Sequence, residues 1–264
     1  MRRMPAVAGL FYPSSPGELR SIVLELLSSV PEYPRRDYVA AIVPHAGYVY
    51  SGSVAAHAYR ALSTVQPEGV VVVGPNHTGL GAAVSVWPDG EWVTPLGPVE
   101  IDAALAEEVI ERSAFAVADY EAHIREHSIE VQLPFLQCIY GDFDFVPIVM
   151  GYQEYDAAKD IASSIPAGNL FIASSDFSHY VPAEVGRELD MKAIEYILNL
   201  DAKGFYSFVV NNGVSICGAG PIMAAIEFAR LLGAEAELLA FGNSGDTTGD
   251  YSSVVDYAAI VFYR

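Results

Sequence analysis

Uninterrupted runs of hydrophobic residues, many of them β-branched, recur along the chain and predict buried β-strands. Runs without polar alternation are typical of a sheet covered by helices on both faces. The predicted strands span residues 38–43, 70–73, 145–149, 169–173, 236–241 and 257–262. Pro147 has no amide proton for a sheet ladder, so we expect its strand to lie at an edge or to carry a bulge.

Amphipathic segments between these runs predict helices. Ser15, followed by Pro16 and by Glu18, has the capping-box pattern and predicts a helix that ends at about residue 29. Asp102 is a residue type that caps helices, and we expect a helix over 103–112 behind it. Further helices are predicted at 53–62, 156–164, 183–198 and 221–232.

One segment departs from this alternation of strands and helices. Residues 84–93 pass through Pro88-Asp89-Gly90, a turn sequence between two apolar runs, and predict a small β-hairpin. The chain has no internal repeat and no linker rich enough in Gly, Pro or Ser to divide it. We therefore predict one α/β domain over residues 1–264, with a mostly parallel central sheet flanked by helices.

The charge balance narrows the classes of function. Fourteen Lys and Arg stand against 33 Asp and Glu, which gives a formal net charge of −19. Such a chain repels phosphate backbones and anionic lipid, so neither nucleic acid nor a membrane surface is an expected partner. We find no run of about 18 apolar residues and no signal-peptide cleavage site, and we expect a cytoplasmic protein.

Three of the six histidines follow predicted strands. His45 comes after the strand over 38–43, His77 after the strand over 70–73, and His179 after the strand over 169–173. Ligands of open α/β sheets bind in the crevice beyond the carboxyl ends of the strands, so these side chains are predicted to converge there. A loop histidine bonded to backbone is the alternative for each one, but three repeats of one placement favour a shared site.

His127 and Cys217 are further candidates. His127 is flanked by Glu126 and Glu130, which could orient it as a general base or as a partner of a metal ligand; helix capping by Ser128 is the alternative. Cys217 precedes a predicted helix, whose N-terminus favours a thiolate suited to a nucleophile or a metal ligand. The alternative for Cys217 is a small buried apolar residue. No phosphate-binding loop or dinucleotide-binding turn occurs, so no nucleotide cofactor is expected.

Five short motifs occur in an order and at spacings that are specific to a family only when taken together. They are Pro44-His45-Ala46-Gly47-Tyr48 with Ser51-Gly52, Gly74-Pro75-Asn76-His77, Glu126-His127-Ser128-Ile129-Glu130, Ser174-Ser175-Asp176-Phe177-Ser178-His179, and Ile216-Cys217-Gly218. With these motifs the chain resembles the Memo family, named for a mediator of receptor-driven cell motility. The resemblance extends from about Pro5 to the strand over 257–262.

The resemblance implies a fold similar to that of the class III extradiol ring-cleaving dioxygenases, which are non-haem iron enzymes. It implies His45, His77 and Cys217 as metal ligands. It also implies His179 as an acid–base residue with Asp176 beside it, and His127 as a further pocket histidine. The dioxygenases have a carboxylate where this chain has Cys217. Because two His and one Cys are a softer ligand set that suits Cu or Zn as well as Fe, ring cleavage is not predicted.

Three hypotheses about function follow. The first is a metal-dependent redox enzyme that uses Fe or Cu to act on a small molecule. The second is a protein that binds a small molecule or peptide in the same crevice without turnover, packed against aromatic side chains such as Tyr48 and Tyr180. The third is a hydrolase in which Cys217 is the nucleophile and His179 or His127 the base. No periodic exposed apolar seam predicts an oligomer.

Overall fold

The computed structural model describes residues 1–264, and every predicted strand is present in it. The twelve strands are β1 Arg2–Arg3, β2 Tyr38–Val43, β3 Val70–Pro75, β4 Val84–Val86, β5 Glu91–Thr94, β6 Gly97–Ile101, β7 Ala116–Ala118, β8 Asp144–Met150, β9 Leu170–Ser174, β10 His179–Val181, β11 Glu235–Asn243 and β12 Val254–Tyr263. The nine helices are α1 Pro16–Ser29, α2 Tyr48–Leu62, α3 Ala103–Arg112, α4 Leu133–Tyr140, α5 Tyr155–Ser164, α6 Ala183–Leu198, α7 Ala202–Asn212, α8 Ala219–Leu231 and α9 Gly245–Thr248.

The strands form one sheet, whose main path runs β1-β5-β6-β8-β3-β9-β2-β12-β10. The central strands β8, β3, β9 and β2 are parallel to one another, whereas β12 is antiparallel to β2, and β11 is antiparallel to β12. The predicted α/β fold with a mostly parallel sheet flanked by helices is therefore confirmed.

Both faces of the sheet are covered. Val71 and Val73 point into one core, which α3, α5, α6, α7 and α8 close, and Val70 and Val72 point into a second core under α1, α2 and α4. Successive side chains of a strand point to opposite faces, so a strand with a core on each side has no solvent-facing positions. This arrangement explains why the strands appear as uninterrupted apolar runs.

The predicted hairpin over 84–93 is wrong. Strand β4 pairs with β7 and β8, and β5 pairs with β1 and β6, so the two strands are not partners of each other. An isolated hairpin would leave both outer edges unpaired, whereas these pairings insert each strand into the large sheet. Trp87 and Trp92, from the turn and from β5, are buried and pack edge to face with ring centroids 5.8 Å apart.

The prediction that the strand of Pro147 lies at an edge or carries a bulge is also wrong, because its register with β3 runs through Pro147 without a shift. Strand β8 is interior, and Pro147 is in register with Val72 of β3. On its other side, the neighbour of β8 changes from β6, which pairs as far as Phe145, to β4, which pairs from Ile148 onward. The missing amide proton therefore falls at the junction between two partners, where the Trp87 amide still donates to the Pro147 carbonyl at 3.3 Å.

The helices agree with the predictions in position and less well in their ends. Helix α1 has the predicted bounds, but the side chain of Ser15 makes no capping hydrogen bond, so the capping box is not formed. Asp102 does cap α3, accepting a hydrogen bond from the amide of Leu105. Helix α7 was not predicted. None of the helices combines the length and the hydrophobicity that crossing a bilayer requires.

Candidate metal site

The parallel pairing of β2, β9 and β3 brings the candidate residues to one end of the sheet. Strand β9 lies between β2 and β3, so the carboxyl ends of the three strands are neighbours. His45 follows β2, His77 follows β3, and Asp176 follows β9. The topology thus brings His45 and His77 to one end of the sheet, where Asp176 joins them, whereas His179, the third histidine predicted to converge there, lies outside their cluster.

Cys217 reaches the same end of the sheet from the segment before α8. The amide of Gly218 donates to Ser175 Oγ at 2.9 Å, which holds this segment against the end of β9. A Cβ atom at Gly218 would lie only 2.7 Å from the carbonyl oxygen of Ser174. Only glycine allows this close approach, and the approach sets the position of the neighbouring thiol.

His45, His77 and Cys217 form a group whose ligand atoms lie within 4.8 Å of one another. The shortest distance recorded among them is 3.2 Å, between His45 Nε2 and Cys217 Sγ. The side chain of His45 is 2% exposed and that of His77 is 32% exposed. The group is therefore enclosed on the His45 side and open to solvent on the His77 side.

The hydrogen bonds of His45 determine which ring nitrogen carries the proton. Ser174 Oγ donates to the carbonyl of Ser128 at 2.6 Å, and it accepts from Gln132 Nε2. Because its one proton is used, Ser174 Oγ must also accept from His45 Nδ1, 2.9 Å away. His45 Nε2 is thereby left with a free lone pair that faces Cys217. Burial lowers the pKa of His45 well below its ordinary value, and neighbouring histidines lower it further.

Glu126 fixes His77 in the same way. Its Oε1 accepts from His77 Nδ1 at 2.8 Å and its Oε2 accepts from the His77 amide at 2.6 Å, so the Nε2 atom of the ring is free. Burial opposes ionisation of Glu126, but hydrogen bonds from His77 and Ser128 outweigh it and hold the pKa at about 2. Glu126 was expected to orient His127, yet its oxygen lies 3.5 Å from His127 Nδ1, so its closer partner is His77.

His127 completes a cluster of three imidazole rings. Its ring stacks on His77 at 4.6 Å and meets His45 edge to face at 5.4 Å. Phe11 also packs on this ring, tilted by 57° with the ring centroids 4.8 Å apart. Burial lowers the pKa of His127 to about 4, so this ring is neutral at pH 7.

The N-terminal segment that carries Phe11 is anchored by Glu130. This buried carboxylate accepts hydrogen bonds from Arg3 Nη1 at 2.7 Å, from Tyr12 Oη at 2.6 Å, and from two backbone amides of the segment. Glu130 therefore holds a wall of the site, and it does not orient His127 as expected.

Asp176 and Cys217 are placed against each other. The Asp176 amide donates to Cys217 Sγ at 3.3 Å, while Asp176 Oδ1 accepts from the His45 amide at 2.7 Å. Burial raises the pKa of the Cys217 thiol, and the nearby charge of Asp176 raises it further. The expectation that a helix N-terminus favours the thiolate is not met, because burial dominates. A bound cation is the kind of group that stabilises a thiolate in such surroundings.

His179 lies outside the cluster of three rings. Its Nδ1 is 2.8 Å from the carbonyl oxygen of Ser215, and its amide donates to Ser215 Oγ. A carbonyl only accepts, so Nδ1 carries the proton and Nε2 is free. Tyr180 follows with φ of 58° and is 79% exposed, which places a strained aromatic residue beside His179.

Comparison with known proteins identifies the family to which this chain belongs. The sequence description of Memo-like proteins matches residues 3–261. The chain belongs to the Memo family. MEMO1 family proteins of Desulfurococcus amylolyticus and Methanopyrus kandleri are each 45% identical to it, over 99% and 100% of this chain and over 99% and 100% of their own lengths.

A solved structure supports the fold of this Memo-family protein. The crystal structure of an uncharacterised protein from Escherichia coli K12 matches 85% of this chain and 99% of its own, with a TM-score of 0.55 and 15% identity. At this identity the likeness concerns the fold alone.

Several residues around the Memo-family motifs were not singled out from the sequence. Ser174 and Gln132 set the proton position of His45, and Phe11 packs on His127. Ser174 lies inside one of the five motifs and Gln132 lies two residues after another, so their proximity to candidate ligands in the sequence could have pointed to them. Nothing in the sequence pointed to Phe11, because it is 116 residues away from His127 in the chain.

Proposed function

We propose that this protein binds a redox-active metal ion, Fe or Cu, through His45 Nε2, His77 Nε2 and Cys217 Sγ, and acts on a small molecule at that centre. The observation that carries the proposal is the pair of imidazoles whose Nδ1 atoms are both engaged by acceptors. Both Nε2 atoms are therefore available near the thiol, in a group whose ligand atoms lie within 4.8 Å of one another.

The chemistry of this donor set fits such an ion. Two imidazoles and a thiolate suit Cu, Fe and Zn, and they differ from the oxygen-rich sets that hold Mg or Ca. When bound, an Fe or Cu ion would supply electron transfer and Lewis-acid activation of a ligand. The exposure of His77, at 32%, leaves an approach for that ligand from the solvent side.

His179 is the proposed acid–base residue. Its ring is oriented by the carbonyl of Ser215, and its free Nε2 can accept or release a proton. Asp176 connects His45 to Cys217. Its side chain accepts a hydrogen bond from the His45 amide, and its own amide donates to Cys217 Sγ. His127, neutral and enclosed between Phe11 and two histidines, lines the pocket.

Metal binding is the first test. The double substitution His45→Ala/His77→Ala is expected to lower the affinity for Fe(II) or Cu by at least about a hundredfold, because two of three ligands are lost. His57→Ala is a matched control, since His57 lies within α2 and its ring contacts Tyr33. The measurement is metal content after anaerobic purification, together with competition against a chromophoric chelator. Equal metal content in wild type and double variant would contradict the proposal.

Turnover is tested separately with His179→Ala. We expect this variant to retain the metal affinity of the wild type and to lose metal-dependent O₂ consumption, because His179 is proposed to move protons and not to bind the ion. Metal binding without O₂ consumption by the wild type would favour a ligand-binding protein without catalysis.

A further inference from the structure

Two acidic side chains are buried together behind the loop that carries Asp176 and His179. Asp190 lies on α6 and Asp256 on β12, and both are 0% exposed. Helix α6 comes so close to β12 here that a Cβ atom at Gly186 would lie 2.3 Å from Asp256 Oδ2. Neither residue belongs to the proposed metal site.

The two residues hold the loop from two sides. Asp190 Oδ1 accepts from Ser178 Oγ at 2.7 Å, and Asp190 Oδ2 accepts from the Ser178 amide at 3.1 Å. The backbone of Asp256 accepts from the Phe177 amide and donates to the Ser178 carbonyl. The residue next to His179 is thus fixed through both its main chain and its side chain.

The hydrogen bonds assign one proton to this pair. Asp190 receives two donors from Ser178, which suits a carboxylate. Both side-chain oxygens of Asp256 are buried, and no N–H or hydroxyl group donates to either of them. A buried carboxylate that accepts no hydrogen bond is much less stable than the neutral acid, so Asp256 is the member of the pair that keeps its proton.

The surrounding charges agree with this assignment. Burial, together with the charges of Asp190 and Asp246, raises the pKa of Asp256 to about 8 against the opposing effect of Arg187. Burial also raises the pKa of Asp190, whereas the hydrogen bonds from the hydroxyl and the amide of Ser178 lower it. Two adjacent buried carboxyl groups do not both ionise near neutral pH.

We propose that Asp190 and Asp256 are positioning residues: they share one proton and, in that state, hold the loop that presents His179 to the metal site. This role rests on the proposed function of His179. The pairing of the two carboxyl groups does not, because it can be measured in protein without any metal.

The shared proton is tested by the pH dependence of stability in Asp256→Asn. A carboxyl group whose pKa is raised on folding contributes stability that is complete below its unfolded value near 3.8 and is lost as pH rises through about 8. Within that window the unfolding equilibrium constant of the wild type should rise, relative to the variant, by about tenfold per pH unit. Asp142→Asn, an exposed aspartate, is the matched control. Parallel pH dependences of wild type and Asp256→Asn would overturn the shared proton.

The positioning role is tested by comparing Asp190→Asn with Asp256→Asn in hydrogen–deuterium exchange. An amide at 256 is neutral, like the protonated acid that it replaces, so peptides covering residues 174–181 should exchange within about twofold of the wild type. An amide at 190 keeps only one of the two oxygens that accept from Ser178, so exchange of the same peptides should rise about tenfold or more. Equal effects of the two variants would overturn the role. Should Asp190→Asn not fold, the pH dependence of stability in Asp256→Asn still decides whether the pair shares a proton.

The two proposals fail in different ways. Absence of metal binding, together with the expected effects of both variants, would remove the metal site and leave the carboxyl pair in place. Metal binding together with parallel pH dependences of stability in wild type and Asp256→Asn would remove the shared proton and leave the metal site in place.

Discussion

At the scale of single residues, hydrogen bonds to ring nitrogens decide which atom of each histidine can bind an ion. Ser174, Glu126 and the carbonyl of Ser215 each engage an Nδ1 atom, at distances of 2.8–2.9 Å. Three side chains thereby present Nε2 with its lone pair. The residues that accept these protons contribute to the site as directly as the rings do, since they set ring orientation and basicity.

Substitution of Glu126 should reveal this contribution. Glu126→Gln replaces the charged acceptor of His77 Nδ1 by an amide, and we expect metal affinity to fall by about tenfold to a hundredfold. Glu121→Gln removes the charge of an exposed carboxylate nearby and should leave the affinity unchanged. Chelator competition at constant pH provides the measurement, with the unfolding free energy of each variant as a check. An unchanged affinity in Glu126→Gln would show that His77 is not positioned by Glu126.

The candidate residues could be predicted from the sequence because their positions at strand ends are a local property. His45 and His77 each follow an apolar run, and parallel strands bring such ends together. The partners of these residues could not be predicted. Glu126 is 49 residues from His77, and Asp190 and Asp256 meet only after α6 packs on β12. Such pairs depend on tertiary packing that hydrophobic periodicity does not encode.

At the scale of helices and strands, the agreement depends on how strongly local sequence determines an element. The bounds of α6 follow its amphipathic pattern and are as predicted. Helix α7 contains Gly204, two valines and three aromatic residues, which are weaker helix formers than Ala or Leu. Packing against α6 and α8 supports this helix, so intrinsic preference did not reveal it.

Helix caps offer a measurable contrast between two similar sequence signals. Asp102→Ala removes the acceptor of the Leu105 amide at 2.9 Å and should lower the unfolding free energy by about 1 kcal/mol. Ser15→Ala should change it by less than about 0.5 kcal/mol, since the Ser15 hydroxyl makes no capping bond. Urea denaturation of both variants under one set of conditions measures the difference. Equal losses would mean that the capping bond of Asp102 adds nothing.

At the scale of the whole molecule, the N-terminal segment closes the fold onto the candidate site. Arg3 Nη1 and Glu130 Oε2 lie 2.7 Å apart although 127 residues separate them in the chain, and both side chains are almost fully buried. Arg3 also donates to the carbonyls of His123 and Glu126, and its guanidinium lies 4.0 Å from the centroid of the Trp92 ring. One cation therefore connects the start of the chain, a strand of the sheet and the segment that holds the site.

Removal of this cation should affect the molecule far more than removal of its neighbour. Arg3→Ala leaves Glu130 buried without its counter-charge and should lower the unfolding free energy by about 3–5 kcal/mol. Arg2→Ala removes a salt bridge to Glu91 made by a side chain that is 61% exposed, and should cost at most about 1 kcal/mol. Chemical denaturation of both variants gives the comparison. Because Phe11 belongs to the segment that Glu130 anchors, proteolysis of residues 1–13 should also accelerate in Arg3→Ala alone. Similar losses in the two variants would show that the buried pair contributes no more than a surface one.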